Sequence, residues 1–343
     1  MSNFKIINAD VLEGLKQIPS ESIDCVFTSP PYWGLRDYGC EGQLGLERTF
    51  QEYTTKLVNV FDEVKRVLKP TGTCFVNLGD TYYSVSGGKF LNDNISDSSK
   101  NIESGVSSAN ALKSGNELEQ KNLCNIPARF SIAMQEHGWI LRNNIIWHKP
   151  SCMPSSVKDR FTVDFENVFF FVKSKKYYFE QQLEPLVTPY EDLIKDTRGM
   201  GGANVKENSM EKNHEGKKSF GQTINPLGRN MRAVWSINPE PYREAHFACY
   251  PTELVRRGLK AGCPKRTIDT NSPTAKWIAG TVLDPFVGSG TTLYVAQELG
   301  LNGIGIELNP KYIPLMKKRL RGDANQTALT ENIKITEQSE KQD

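Results

Sequence analysis

Two consecutive prolines, Pro30 and Pro31, constrain this chain more than any other local feature. They follow residues 22–27, a largely apolar run that is typical of a short buried strand. Neither proline has a backbone N–H and each holds φ at about −65°, so the strand must end here. The rigid turn that results carries a hydroxyl at Ser29 and an aromatic ring at Tyr32. A hydroxyl, a carbonyl and a flat ring at the end of a strand are suited to holding a planar ring that bears an amino group.

The size and composition of the chain limit its class. Its 343 residues are 38% hydrophobic and 24% charged, which suits one large α/β domain or two smaller ones. The net charge of +2 neither requires nor excludes nucleic acid, because charges can be segregated by face. Seven cysteines without a Cys-x-x-Cys pair, and only four histidines, indicate a reducing, cytosolic protein without a zinc site. We expect neither a signal peptide nor a membrane span.

Apolar runs that alternate with amphipathic segments predict a parallel sheet. Residues 49–68 have apolar side chains at helical spacing, and the next strand is predicted at 73–78. Strand, helix and strand in this order form a βαβ unit. The apolar segments 140–147 and 168–172 predict an antiparallel pair at one side of the sheet. Thr252 is the predicted N-cap of a later helix, and Gly262 is predicted to lie just past its end.

A second turn late in the chain predicts a cofactor. A strand at 281–283 runs into a glycine-rich loop, and the following strand, 303–306, ends in Glu307. Glycines let the backbone approach a ligand, and an acid at the end of the next strand can bind both hydroxyls of a ribose. The loop has neither the Lys of a phosphate-binding loop nor the third Gly of a dinucleotide-binding motif. It therefore predicts a cofactor that contains a nucleoside, with a tight turn that binds no ligand as the alternative.

Three polar segments lack the patterns of a core. Residues 84–120, with nine serines between 84 and 114, are expected to be a mobile loop or insert. From 195 to 232 we count eight Lys or Arg against four acidic residues, so this segment could contact phosphates or be a surface loop. The tail, 322–343, is expected to be loose. Asp10, at the end of the first strand, could contact a ligand or cap a helix.

Both turns resemble motifs of one enzyme family. Residues 284–292 resemble the S-adenosylmethionine loop of DNA amino-methyltransferases. Residues 28–32 resemble their catalytic turn, in which Asp, Asn or Ser precedes Pro-Pro and Tyr or Phe. The catalytic turn precedes the cofactor loop, as in the permuted β class of the family. Residues 8–10 resemble the segment that touches the cofactor's adenine, 246–251 resemble the one beside its methionine, and Glu307 falls at the acid that binds the ribose.

The resemblance implies a fold and a domain order. The fold would be α/β: a Rossmann-like S-adenosylmethionine-dependent methyltransferase fold in circularly permuted order, with a mostly parallel seven-stranded sheet that contains an antiparallel strand. The implied domains are listed in chain order: 1–83, first part of the catalytic half; 84–120, insert; 121–183, rest of the catalytic half; 184–234, DNA target recognition; 235–322, cofactor-binding half; 323–343, polar tail.

The resemblance also assigns site residues. The catalytic residues would be Ser29, Pro30, Pro31 and Tyr32, with a flipped base donating its amine hydrogens to the Ser29 hydroxyl and the Pro30 carbonyl. Trp33 would either line the pocket or fill the core. No metal is implied. The residues assigned to S-adenosylmethionine are Asp10, Phe247, Pro251, Asp284, Pro285, Phe286, Gly288, Ser289, Gly290, Thr291, Thr292 and Glu307.

The first residue of the catalytic turn bears on the target base. A Ser there resembles the cytosine-N4 enzymes, whereas adenine-N6 enzymes usually carry Asp or Asn. The implied reaction is methylation of cytosine N4 in double-stranded DNA, with adenine N6 as the alternative. An RNA or protein amine methyltransferase and a non-catalytic DNA-binding protein are the less favoured classes. The implied setting is the cytoplasm of a prokaryote, or a phage-encoded protein. The enzyme would be a monomer or homodimer and would have no membrane partner. A cognate restriction endonuclease is a possible partner.

Overall fold

The computed structural model describes residues 2–83, 118–188, 225–240, 250–268, 277–321 and 333–339. Its strands in chain order are β1 (Ser2–Asn8), β2 (Ile23–Thr28), β3 (Leu68–Leu78), β4 (Ile140–His148), β5 (Phe165–Val172), β6 (Leu183–Glu184), β7 (Arg229–Asn230), β8 (Val234–Ser236), β9 (Thr267–Ile268), β10 (Trp277–Ile278), β11 (Thr281–Asp284), β12 (Asn302–Glu307) and β13 (Ile333–Ser339).

Six helices connect these strands within the described residues. They are α1 (Val11–Lys16), α2 (Phe50–Val67), α3 (Ile126–Glu136), α4 (Thr252–Gly262), α5 (Thr291–Glu298) and α6 (Tyr312–Arg321). None of them is long and apolar enough to cross a membrane.

Nine strands of the described residues form the main sheet, in the order β13-β1-β12-β11-β2-β3-β5-β4-β8. β5 pairs antiparallel with both β3 and β4, whereas the other adjacent pairs in this sheet are parallel. The predicted α/β architecture and the antiparallel pair are therefore confirmed. The sheet has nine strands rather than seven, because one strand is added to each edge of the central seven.

The tail contains one of the two added strands. We expected residues 322–343 to be loose because they are polar, but residues 333–339 pair with β1 in parallel register, from Ser2 opposite Ile333 to Asn8 opposite Ser339. Backbone N–H and C=O groups make this ladder, so a polar sequence can form it without an apolar pattern. The prediction of a loose tail is wrong for these residues.

Helix α2 illustrates how the sequence directs the packing. Thr49 caps it, and its hydroxyl accepts a hydrogen bond from the N–H of Glu52 at 3.1 Å. One face, including Tyr53 and Phe61, is fully buried. β3 begins at Leu68 directly after the helix, rather than at residue 73 as predicted. The N-cap of α4 is Pro251 and not Thr252, which is the first helical residue, and Gly262 is the last helical residue rather than the residue after the end.

Two glycines let α4 lie close to the sheet. A Cβ on Gly258 would stand 2.6 Å from the ring of Phe27, and one on Gly262 would stand 2.4 Å from the hydroxyl of Thr73. Phe27 stacks on Phe75, with ring centroids 5.9 Å apart. These contacts cover one face of β2 and β3, the strands that support the first proline turn.

The residues that flank the segment 84–117 form backbone hydrogen bonds with each other. The N–H of Tyr83 donates to the carbonyl of Asn122 at 2.7 Å, and the N–H of Lys121 donates to the carbonyl of Tyr83 at 2.9 Å. The chain therefore leaves and re-enters the fold at one place. The serine-rich segment itself lies outside the described residues.

A separate compact unit spans Gln181–Arg232. Its described part contains the antiparallel pair of β6 and β7. The carboxylate of Glu184 accepts hydrogen bonds from Arg229 at 2.8 Å and from Arg232 at 2.9 Å. Residues 189–224 lie outside the described residues, and they include most of the basic segment, 195–232.

Candidate active site

A cavity of about 570 Å³ opens at the edge of the sheet where the parallel strands end. Its volume lies in the range of small-molecule sites, roughly 300–1,000 Å³. The two turns meet there because β2 and β11 are neighbours in the sheet. The predicted site residues that line the cavity are Asp10, Ser29, Pro30, Pro31, Tyr32, Pro285, Phe286, Gly288, Ser289, Thr291 and Glu307.

Of the described residues predicted to bind a cofactor, four stand outside the cavity wall: Pro251, Asp284, Gly290 and Thr292. Phe247 lies outside the described residues. Gly290 has a φ of +84° and a Cβ there would stand 2.9 Å from Met316, so it shapes the loop where α5 begins.

Asp284 stands behind the wall and joins the two turns. It is fully buried, and its carboxylate accepts hydrogen bonds from the hydroxyls of Thr28 at 2.6 Å, Thr292 at 2.7 Å and Tyr250 at 2.8 Å. Thr28 and Asp284 are 256 positions apart in the chain. Burial raises the pKa of Asp284, and these hydrogen bonds offset part of that shift. Asp284 thus fixes the loop against β2, the strand that carries the predicted catalytic turn.

Glu307 faces the cavity from the end of β12. Its two oxygens accept hydrogen bonds from the backbone N–H groups of Gly288, at 2.9 Å, and Asn309, at 2.8 Å. Burial raises its pKa to about 7, against the effect of those two N–H groups. A carboxylate held in this way can accept hydrogen bonds from a ribose diol. Gly288 has a φ of +52° and open space where a Cβ would be, so the backbone lies bare to a ligand.

Asp10 both caps a helix and lines the cavity, the two alternatives that the sequence left open. Its carboxylate accepts a hydrogen bond from the N–H of Leu12 at 2.8 Å and caps α1. The helix-capping interpretation is confirmed, and the same residue also lines the cavity. A capping carboxylate has more acceptor positions than one N–H uses, so the two roles are compatible.

The predicted catalytic turn, Ser29 to Tyr32, is fixed on both sides. The carbonyl of Pro31 accepts a hydrogen bond from the hydroxyl of Tyr53 at 2.8 Å. A Cβ on Gly79 would stand 2.6 Å from the ring of Tyr32, so this glycine makes room for the ring. Trp33 is buried, and its indole N–H donates to the carbonyl of Glu47 at 2.9 Å. Trp33 therefore fills the core.

Sequence reasoning missed a polar network in the cavity wall. The hydroxyl of Ser29 donates to that of Tyr32 at 3.3 Å, and the Tyr32 hydroxyl donates to Glu166 at 2.7 Å. The amide of Asn77 donates to the same Glu166 oxygen at 3.0 Å, and Lys149 forms an ion pair with the other oxygen. All five residues line the cavity. An acidic residue near the start of the largely apolar strand β5 is the signal that could have found Glu166.

The charge balance of this network favours an ionised carboxylate. Burial raises the pKa of Glu166, but the positive charge of Lys149 and the hydrogen bonds from Lys149, Tyr32 and Asn77 outweigh it and hold that pKa below its ordinary value. Burial and the neighbouring Glu166 charge raise the pKa of Tyr32, which keeps its phenol protonated. Within the described residues, no group of His, Cys, Asp and Glu side chains could hold a metal ion.

The sheet order and the cavity define a Rossmann-like α/β fold with its ligand site at the carboxyl edge. A family model described as DNA methylase, of the N6/N4 type, matches residues 23–318. The Type II methyltransferase M.SmaI of Serratia marcescens is 39% identical over 316 residues, which are 92% of this chain and 90% of that protein. The Type II methyltransferase M.Cfr9I of Citrobacter freundii is 37% identical over 318 residues, 93% of this chain and 88% of that protein.

A solved structure shares the fold. PvuII DNA methyltransferase (cytosine-N4-specific) superposes with a TM-score of 0.57 at 20% identity, over 96% of this chain and 91% of that one. The chain belongs to the N6/N4 DNA methylase family, whose members use S-adenosylmethionine. The family that the two turns indicated is thereby confirmed.

Proposed function

We propose that this protein transfers a methyl group from S-adenosylmethionine to the exocyclic N4 amine of a cytosine flipped out of double-stranded DNA. The observation that carries the proposal is that the catalytic turn, Ser29 to Tyr32, and the cofactor loop line one cavity. Ser29 supports cytosine as the target base, because a Ser at the first position of the catalytic turn resembles the cytosine-N4 enzymes. The PvuII enzyme, which shares the fold, is described as cytosine-N4-specific.

The cofactor side of the cavity suits S-adenosylmethionine. Glu307 would accept the ribose hydroxyls, and the bare backbone at Gly288 would allow close approach. Asp10, Pro285, Phe286, Ser289 and Thr291 would complete the contacts, since all line the same wall. Phe247 and Pro251 would lie beside the methionine, as the resemblance of residues 246–251 to that segment of the family implies. The bound cofactor supplies a methyl group on a positively charged sulfur.

The base side of the cavity would orient the amine. Its two hydrogens would bond to the Ser29 hydroxyl and the Pro30 carbonyl, which leaves the nitrogen lone pair to face the methyl group. Tyr32 would stack on the base, a contact worth about 1–3 kcal/mol. Pro31 sets the turn, since its carbonyl is tied to Tyr53. The protein thus contributes orientation, which is the main requirement of a direct displacement.

Target recognition is proposed for residues 184–234, because the basic excess between 195 and 232 suits contact with phosphates and groove edges. Relatives at 37–39% identity are Type II methyltransferases. Their names support a restriction endonuclease with the same recognition sequence as a partner, and action on DNA in the cytoplasm.

Methyl transfer to plasmid DNA with tritiated S-adenosylmethionine tests the proposal. We expect labelled DNA, and mass spectrometry of its nucleosides should show N4-methylcytosine. Methylation-aware sequencing of the same DNA would give the recognition sequence. If the digest contained N6-methyladenine instead, the target base would be adenine and not cytosine. Label in RNA or protein but not in DNA, or no label from folded protein that binds the cofactor, would overturn the DNA methyltransferase proposal.

A further inference from the structure

Three side chains of the base side form a directed chain of hydrogen bonds. Ser29 donates to the oxygen of Tyr32 at 3.3 Å, and Tyr32 donates to Glu166 at 2.7 Å. A hydroxyl has one donor hydrogen and two acceptor lone pairs, so Ser29 can still accept from a base amine while it donates to Tyr32. Asn77 has an amide oxygen 3.2 Å from the Tyr32 hydroxyl, but the shorter bond leads to Glu166. The chain therefore runs from the catalytic turn to a carboxylate.

The carboxylate at its end is placed to receive a proton. Glu166 is one of the first residues of β5, and its side chain is 17% exposed. Its second oxygen is paired with Lys149, whose ammonium also lies 4.4 Å from the ring centre of Trp147. A half-buried carboxylate with a cation partner stays ionised and can act as a general base.

We propose that Glu166 is the terminal proton acceptor of the methylation reaction, and that it receives the proton of the target amine through Ser29 and Tyr32. This inference rests on the proposed transfer to an exocyclic amine, and it applies to cytosine and adenine alike. It assigns a catalytic task to a residue on a strand that neither sequence motif contains.

The atoms and electrons balance as follows. The lone pair of the amine nitrogen forms the bond to the methyl carbon as the carbon–sulfur bond breaks, and that electron pair stays on sulfur. The nitrogen then carries two hydrogens, a methyl group and a positive charge. One N–H bond breaks, its electron pair stays on nitrogen, and the proton goes to Ser29. Ser29 passes its own proton to Tyr32, and Tyr32 passes its own to Glu166. Neither hydroxyl becomes charged, and Glu166 becomes neutral.

Glu166→Gln is the direct test, because it keeps the shape and an acceptor for Tyr32 but cannot take a proton. We expect the single-turnover rate of methyl transfer to fall about 100-fold near neutral pH. At saturating S-adenosylmethionine, the wild-type rate should be nearly independent of pH between about 6 and 9, because Glu166 is ionised throughout. The rate of the variant should rise with pH, because water or hydroxide must then take the proton. A structural role alone would lower the rate without this slope.

Two further variants separate the relay from a packing defect. Tyr32→Phe keeps the stacking ring and breaks the chain. Combined with Glu166→Gln it should cost little more than either change alone, since residues that act as one unit are not additive. Lys149→Met with Glu166→Gln removes both charges and avoids an unpaired buried cation, so it should fold and show the same pH slope. Glu63→Gln, which breaks an ion pair with Arg66 on the surface of α2, is the matched control with a wild-type rate and profile.

The outcomes distinguish the relay from the proposed function. Nucleoside analysis of the wild-type product reports the base, whatever the variants do. A wild-type rate and a flat pH profile in both Glu166→Gln proteins would overturn the relay and leave the methyltransferase intact. Additive losses in the Tyr32→Phe combination would also overturn it. Absence of transfer to DNA by the wild type would overturn the proposed function and the relay together.

Discussion

The cofactor loop and the catalytic turn meet in one cavity, but different kinds of contact hold them. The loop closes on itself and on the next strand: the N–H of Gly290 donates to Val287 at 2.8 Å, and that of Gly288 donates to Glu307 at 2.9 Å. The turn is held by side chains from far along the chain. Tyr32 contacts Asn77, 45 positions away, and Glu166, 134 positions away.

This difference would separate the two halves of the proposed reaction, cofactor binding and orientation of the base. The loop depends on local backbone geometry, so its shape follows from its own motif. The hydroxyl and ring of the turn are placed by residues of two other strands, Asn77 of β3 and Glu166 of β5. The proposed catalysis should therefore be sensitive to residues outside the motif. Asp284 is the link between them, because it accepts from Thr28 beside the turn and from Thr292 in the loop.

Asp284→Ala should have the largest effect, because it affects both regions at once. Three hydroxyls, two of them on the buried residues Thr28 and Thr292, lose their shared acceptor, and we expect the free energy of unfolding to fall by about 3 kcal/mol. Cofactor binding and methyl transfer should both weaken. Urea unfolding, calorimetry and the methyl-transfer assay measure these three effects. Asp62→Asn, at an exposed pair with His137, is the control and should change stability by less than about 0.5 kcal/mol. If both variants changed the free energy of unfolding equally, Asp284 would not be the link between the loop and the turn.

Ser29→Ala should affect the turn alone. Without the hydroxyl, the amine loses one of its two acceptors, and we expect the transfer rate to fall about 100-fold. The Kd for S-adenosylmethionine should stay within about twofold of the wild type, since Ser29 lies on the base side. Ser289→Ala, in the loop, should show the opposite division, with weaker cofactor binding and little loss in the chemical step. Full activity of Ser29→Ala would disprove the proposed role of the turn.

Glu307 should make cofactor binding depend on pH. Its pKa in the free protein is about 7, and a ribose diol donates hydrogen bonds to the ionised form. Below pH 7 the free carboxyl is protonated and must lose its proton on binding, so affinity should fall up to about tenfold for each pH unit. Above pH 7 the affinity should be constant. Calorimetry across this range tests the sign, and Glu307→Gln should bind more weakly above pH 7 without the slope. A wild-type affinity independent of pH would contradict the role of Glu307.

Trp33→Phe should have the smallest effect. The indole hydrogen bond to the carbonyl of Glu47 is lost and the core is slightly underfilled, so stability should fall by about 1–2 kcal/mol. The transfer rate of the folded protein should remain near the wild-type value, because Trp33 lies in the core. Thermal unfolding and the same transfer assay measure both quantities. A large loss of transfer rate at unchanged stability would instead support the interpretation that Trp33 lines the pocket.

Much of the fold and the two motifs could be predicted from the sequence because their signals are local. The prolines at 30 and 31 end a strand through their covalent structure, and the glycine-rich loop with Glu307 is one continuous βαβ unit. Eleven of the predicted site residues line the cavity. Alternating apolar segments likewise indicated the parallel sheet and its antiparallel pair.

What the sequence by itself determined about this protein is therefore the two turns, the order of the strands that carry them, and the methyltransferase family. Tertiary structure decided which side chains share the cavity. Ligand residues are expected at the ends of parallel strands, but β5 runs the other way, so Glu166 reaches the same edge from the start of its strand. Burial assigned Trp33 to the core and Asp284 to the link behind the wall. The backbone ladder of β13 placed a polar tail in the sheet, because hydrogen bonds between strands leave no trace in hydropathy.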